Sequence, residues 1–315
     1  MRIAVAGGGG LGYMIATQLF QAEAAYNVIV LSRAHRPEYD SLGIQVLAVD
    51  YNRHDSLRYA LRGIDLCIST VAGPEQINLI MASADSGVRL FVPSEFEGSM
   101  RQRPAHDPMD RGSIQAMSLL KHLDSTKRMK YTIFSCGLFM ERFSPYGLGH
   151  FQIGYGTSVA SPGDYLLDAR TGVAEYVELN QRRRNIQVCL TSVFDLVKFI
   201  VAAIDLGPGE WPKEWTLRGD RKSIRELLTA YSAASNIPIT PMQRSYADLE
   251  LYINHYIAEE NSERVGYYRR LLDTAHGRYD FERTTLNEVV DASDLVDVEP
   301  LDFNSWLASV WQAGM

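Results

Sequence analysis

Cysteine is scarce in this chain: Cys67, Cys136 and Cys189 are the whole set. An odd, sparse set inside apolar runs argues against a disulfide framework and for reduced core residues of a cytoplasmic protein. No apolar segment is long enough to cross a bilayer, so no membrane partner is expected. The first apolar run starts almost at Met1, which leaves no room for a signal peptide. Basic runs are also missing. The formal net charge is −7, and Arg182-Arg183-Arg184 is the one cluster, read as a solvated turn, so nucleic acid is not an expected partner. The seven histidines are scattered, with none at ligand spacing from another His or Cys. No metal is expected. Repeats and low-complexity segments are absent too. What remains is ordinary globular composition, 46% hydrophobic and 22% charged, enough for one large domain or a domain with a smaller lobe.

Glycine, by contrast, is concentrated at the start. Ile3-Ala4-Val5-Ala6 reads as a short buried strand, and Gly7-Gly8-Gly9-Gly10-Leu11-Gly12 follows it. Ile15, Ala16, Leu19 and Phe20 then recur at helical spacing. Gly7, Gly9 and Gly12 fit the dinucleotide pattern G-x-G-x-x-G. The first permits a tight turn, the second lets a pyrophosphate approach the backbone, and the third lets the helix pack on the strand. The phosphates would face the free N–H groups at the helix start, including those at Gly10 and Leu11. Four consecutive glycines weaken a packed structure unless the backbone needs the freedom.

A second strand, Val28 to Leu31, ends in Ser32-Arg33, with His35 and Arg36 close behind. A carboxylate here would bond the adenosine ribose and repel a 2′-phosphate. The chain offers Arg33 instead, whose guanidinium forks onto phosphate oxygens. The expected cofactor is therefore NADPH/NADP+. Further strands are expected at Gln45–Val49, Leu66–Ser69 and Val88–Val92, alternating with helices over His54–Leu61 and Gln76–Ser86. The α/β alternation implies a Rossmann-type doubly wound parallel sheet, with ligands at the strands' carboxyl ends. Thr70, Val71 and Ala72 follow one such end, and Ser94, Glu95 and Phe96 another.

Asp110 to Leu123 reads as a helix, Tyr131 to Cys136 as a sixth strand and Gln187 to Thr191 as another. Asp195 is read as the N-cap of a helix through Ile204. Ser223 and Glu226 form a capping box opening a helix through Ser235. Beyond Ile239 the alternation fades into helical segments rich in tyrosine, read as half-buried packing. The expected division is a cofactor domain over residues 1–155, rejoined by 186–219, and a smaller, mostly helical C-terminal substrate lobe over 156–185 and 220–315.

The order GGGGLG, VLSR, ISTVAG, FVPSEFEGS and KYTIFSCGLFMERF, with Asp195 opening a helix, resembles the isoflavone-reductase-like or NmrA-like family of atypical short-chain dehydrogenases. The likeness runs over roughly Met1 to Gly219. It implies an NADP(H) domain and a reductase of small aromatic secondary metabolites. By the match, Gly7, Gly9, Leu11 and Gly12 hold the pyrophosphate, with Gly10 in the same turn. Arg33, beside Ser32, holds the 2′-phosphate. Thr70, Val71 and Ala72 run along the cofactor, with Ser94, Glu95 and Phe96 near the nicotinamide. Cys136, Phe139, Phe143 and Tyr146 line the substrate site.

One departure matters. Family reductases carry a proton-transferring lysine on the helix between the fifth and sixth strands. Counting back from Tyr131 reaches Met117, and anchoring on Asp110 reaches Ser113. Neither is basic. Lys121, one turn beyond Met117, Asp110 and Tyr146 are the catalytic candidates, with His106, Asp107 and His150 as other donors. The leading expectation is an NADPH-dependent oxidoreductase. A non-catalytic NADP(H) sensor and a cyclase or isomerase on the same fold are the alternatives. An aromatic-lined cavity beside the nicotinamide would favour the enzyme. Self-association as a homodimer stays open.

Overall fold

A computed structural model describes residues 1–104, 110–154 and 158–312. Six parallel strands form the main sheet: β1 (Arg2–Ala6), β2 (Asn27–Ser32), β3 (Gln45–Ala48), β4 (Leu66–Ser69), β5 (Leu90–Val92) and β6 (Lys130–Tyr131). Their order is β3-β2-β1-β4-β5-β6. The order reverses between β1 and β4, which opens a crevice at the carboxyl ends there. The alternation of side chains explains the layering. Ile3, Val5, Val28, Val30, Leu66 and Ile68 point to one face, where they meet Ile15 and Leu19 of α1 (Gly10–Gln21). Ala4, Ala6, Ile29, Leu31, Cys67 and Phe91 point to the other. There they meet α2 (His54–Ala60), α3 (Pro74–Asp85) and α4 (Ser113–Ser125). All three cysteines are buried and free.

The expected sixth strand is interrupted. Thr132 donates its N–H to Phe91 O, but Ile133 donates to Lys213 O. β7 (Ile133–Ser135) therefore leaves the main sheet and pairs with β11 (Glu214–Thr216). β8 (Leu138–Phe139) continues into a third sheet, beside β10 (Gln187–Thr191) and β12 (Asp220–Ser223). A two-stranded pair joins β9 (Val173–Val177) to β13 (Thr240–Arg244). β13 is almost wholly exposed, so no alternation marks it in the sequence.

α5 (Val193–Asp205) packs on α1, but its N-cap is Ser192, whose Oγ accepts the Phe194 N–H at 3.2 Å. The Asp195 capping expectation is thus corrected. Asp195 is buried inside the first turn, where it pairs with Lys198 at 2.9 Å and accepts the Leu301 N–H at 2.9 Å. With the Ser192 hydroxyl as the cap, Asp195 is left to fasten the C-terminal segment. The Ser223–Glu226 capping box is present at the start of α6 (Ile224–Ser235). Arg182–Arg184 lies in an exposed turn held by Asn180 Oδ1.

A separate apolar cluster holds α6, α7 (Leu249–Ala258), α8 (Ser262–Ala275) and α10 (Phe303–Gln312) together, with α9 (Thr285–Asp291) packed on α5 instead. Two of its tyrosines, Tyr267 and Tyr268, bond the buried Glu175. Tyr252 stacks on Tyr268 at 4.8 Å, and Arg244 and Arg264 both pair with the buried Glu175, at 2.8 and 2.6 Å. Among the described residues no helix is long and apolar enough to cross a membrane.

Candidate functional site

The glycine turn sits at the carboxyl end of β1, and its glycines have different reasons to be glycine. Gly7 has φ +104°, and a Cβ there would lie 2.2 Å from Thr70 Oγ1. A Cβ on Gly12 would lie 2.0 Å from Gly7 O. These two are required by the protein's own packing. Gly10 has φ +49°, and its Cβ would strike Gln152 O at 2.5 Å. Gly9 differs: its backbone is extended at φ −124°, and only the side-chain ends of Gln152 and Arg36 come near, at 3.4 and 3.9 Å. Nothing fixed in the fold requires Gly9 to lack a side chain.

The turn is tied from several sides. Gly7 donates its N–H to Leu31 O at 2.9 Å, and Tyr39 donates its hydroxyl to Gly8 O at 3.1 Å. Thr70 Oγ1 donates to Ala6 O at 2.9 Å. No side chain caps α1, and no acidic residue stands in its first turn. Among the described hydrogen bonds none uses the N–H groups of Gly9, Gly10 or Leu11. Bare amides at an uncapped helix start attract anions. Buried Ser32 accepts from Ala34 N and Arg36 Nε, while Arg33 is exposed beyond it. Thr70, Val71 and Ala72 line the β4 end, all half-buried. Ser94 donates its N–H to Gln76 Oε1 at 2.6 Å, which ties the β5 end to α3. The residues around the switch point are thus brought together at one edge.

The catalytic candidates are not. Lys121 is exposed on α4, with no partner among the described bonds. Of the two positions expected for a lysine, Met117 is buried in the core under the sheet and Ser113 is buried at the start of α4. Asp110 accepts the N–H groups of Gly112 and Ile114 at 3.2 and 3.1 Å and faces Arg103 at 3.7 Å. It closes the start of α4. Tyr146 is 69% exposed, beside the His150 ring at 5.5 Å. His106 and Asp107 lie outside the described residues.

The pocket-wall expectation is corrected in part. Cys136 is fully buried, and burial pushes its thiol far above the ordinary range. Phe143 is fully buried against Phe303 at 5.5 Å. Both are core, because β7 and β8 turn inward after leaving the main sheet. Phe96 and Phe139 are also buried, in the cluster on the α1 side of the sheet. Two surface hollows of about 620 and 890 Å³ are present, one along Val290–Pro300 and one at the amino ends of β4 and β5. Neither adjoins the glycine turn.

Sequence reasoning passed over a buried ionic junction. Glu95 pairs with Arg103 at 3.0 Å, and burial raises its carboxyl above the usual range. Arg278 bridges Glu97 at 2.8 Å and Asp273 at 2.9 Å, and the arginines around Glu97 hold its carboxyl low. Glu141 is fully buried, and loss of solvation pushes it up to about 7, although it accepts from Ser192 Oγ and Val193 N. Glu97 and Arg278, like Glu141 and Ser192, are far apart in the chain, so no local pattern announces those contacts.

No family profile matches the chain. The oxidoreductase BOA1 of Botryotinia fuckeliana is 28% identical over 240 residues, covering 72% of this chain and 74% of that protein. The resemblance to the isoflavone-reductase-like family holds. The isoflavone reductase homolog A622 of Nicotiana tabacum is 28% identical over 165 residues, 48% of this chain and 52% of that protein. The match thus spans about half the length of this plant relative. Among solved structures, the Escherichia coli NADPH-dependent quinone oxidoreductase complexed with NADPH has a TM-score of 0.68 at 15% identity, covering 98% of this chain and 99% of that one. AtPrR2 with NADP+ and (+)pinoresinol has a TM-score of 0.67 at 17% identity, covering 98% of each chain. These likenesses show the fold.

Proposed function

We propose that this protein is an NADPH-dependent reductase of a small aromatic metabolite. The single observation that carries the reading is Gly9. Gly7, Gly10 and Gly12 are glycine because the fold would otherwise clash, whereas Gly9 faces only movable side-chain ends. A bare backbone that packing does not require, beside unused amides, fits the close approach of a pyrophosphate. In this reading Gly9, Gly10 and Leu11 donate to the phosphates, and Arg33 takes the 2′-phosphate. Thr70 has a different part: its hydroxyl is spent on Ala6 O, so it holds the turn's shape. Val71, Ala72 and Ser94 form the wall beyond it.

When bound, NADPH would supply a hydride to an electron-poor carbon. The chain's own contribution is orientation and exclusion of water. Met117 or Ser113 stands where family reductases keep a lysine, Asp110 accepts backbone N–H groups at the start of α4 and Lys121 faces solvent. The reading that follows is an acceptor needing little acid assistance at the moment of transfer, such as a quinone methide. The test mixes the protein with NADPH and a panel of aromatic ketones, imines and quinone methides, and follows nicotinamide absorbance. Turnover restricted to the activated acceptors supports the proposal; failure to bind NADPH overturns it.

Met117 also favours a second reading, a non-catalytic NADP(H) sensor. Tight NADPH binding with no consumption across the whole panel would select it.

A further inference from the structure

The segment that crosses back over the glycine turn has no part in the fingerprint, yet it is built to touch it. A short 3-10 turn, Leu148–Phe151, ends at Gln152, whose N–H donates to Gly149 O at 3.0 Å. Ile153 donates to Leu148 O at 3.1 Å, and Leu148 is buried in the core on the α1 side of the sheet. The Phe151 ring meets Phe194, in the first turn of α5, at 6.0 Å. Between these anchors Gln152 takes φ +54°, a left-handed conformation that few residues other than glycine adopt. The conformation sets the carbonyl of Gln152 against Gly10, at 2.5 Å from where a Cβ would stand. It also brings the exposed side chain to Gly9, with Oε1 at 3.4 Å from that residue's missing Cβ.

That point over Gly9 is where the second glycine of such a turn receives the pyrophosphate. The groups that reach it are a carboxamide, from Gln152, and a guanidinium, from Arg36, whose Nη2 is 3.9 Å away. A carboxamide both accepts and donates, so turning about its last bond presents NH2 to an anion. Gln152 shares positive φ with several other non-glycine residues, but here the anchors on both sides set the polar side chain over Gly9.

We propose that Gln152 is a cofactor-binding residue, a donor that closes over the pyrophosphate from the side opposite the turn's amides. The proposal rests on the dinucleotide reading above. It also accounts for the fourth glycine, since Gly10 is bare to let the Gln152 carbonyl seat. Gln152 lies far along the chain from the glycine turn, which is why the fingerprint does not include it.

The test measures affinity for two ligands in wild type and in Gln152→Ala, by titration calorimetry without any acceptor. NADPH carries the pyrophosphate; adenosine 2′-monophosphate carries only the phosphate expected at Arg33. Loss of one donor to a charged group predicts NADPH binding weaker by about tenfold, with 2′-AMP unchanged. Gln152→Glu, which sets a carboxylate against the phosphates, should weaken NADPH further. Unchanged or tighter NADPH binding in Gln152→Ala would show the side chain to be a bystander or a plug, and would overturn the proposal. An equal loss for both ligands would overturn it too, because the effect would not belong to the pyrophosphate. Wild-type protein that binds neither ligand would bring down the dinucleotide reading itself.

Discussion

The two ends of the expected site are made in different ways. At the β1–α1 turn the glycines stand within one short stretch, each with a separable reason, and the surrounding contacts from Thr70, Tyr39 and Leu31 hold the turn in one shape. At the β5–α4 end, the two positions at which the resemblance would set a lysine, Met117 and Ser113, are both buried. The nearby acids are committed: Asp110 caps α4 and Glu95 faces Arg103. Holding a cofactor and delivering a proton are separable tasks on this fold. On the proposed reading the chain is equipped for the first, whereas at this end the described acids Asp110 and Glu95 are already engaged.

The comparison can be broken at either end. The largest effect is expected from Gly12→Ala, whose new Cβ would meet the Gly7 carbonyl, backbone that cannot step aside. Overpacking of this kind should lower stability by about 3 kcal/mol in chemical denaturation. A variant as stable as wild type would mean that α1 does not sit as described. Glu95→Gln comes next. It removes the buried charge opposite the half-buried Arg103, which still faces Asp110, and should cost about 2 kcal/mol. The pH profile of turnover should keep its shape; a lost limb in that profile would make Glu95 the missing acid and erase the contrast between the two ends.

Gly9→Ala is the sharpest test of the cofactor end. Its extended backbone accepts alanine, so stability should stay within about 0.5 kcal/mol. NADPH affinity should nonetheless fall by about thirtyfold, from a methyl group in the path of the pyrophosphate. Stability and affinity falling together would mean that Gly9 is structural like Gly12. Arg33→Ala should weaken NADPH by about tenfold and NADH hardly at all, measured side by side. Equal losses would remove the phosphate fork. The smallest effect belongs to Lys121→Met. On the exposed face of α4 it should change neither turnover nor melting temperature measurably, and a loss of turnover would restore the lysine to the mechanism.

What could be read in advance was local. Ile3–Ala6, the glycine turn and the periodicity of Ile15, Ala16 and Leu19 lie within reach of one another along the chain, and local sterics are sufficient to set a strand, a turn and a helix. The same holds for the capping box at Ser223 and Glu226. Asp195 misled because an aspartate near a helix start suits a cap, and only the packed structure shows Ser192 taking that place while Asp195 reaches Leu301. Cys136 and Phe143 misled because an aromatic, glycine-rich stretch reads equally well as pocket wall or core. The decision came from β7 leaving the main sheet at Thr132 to pair with β11, a partner distant in sequence.

The sequence by itself determined the α/β class, the placing of the glycine turn after β1 and the arginine after β2, since each depends on neighbours a few residues away. Only the tertiary structure decided which glycines the fold itself requires, that Gln152 comes to rest over Gly9, and that Met117 is sealed in apolar packing. Those outcomes depend on segments far apart in the chain meeting at one strand edge, and no local pattern records such a meeting.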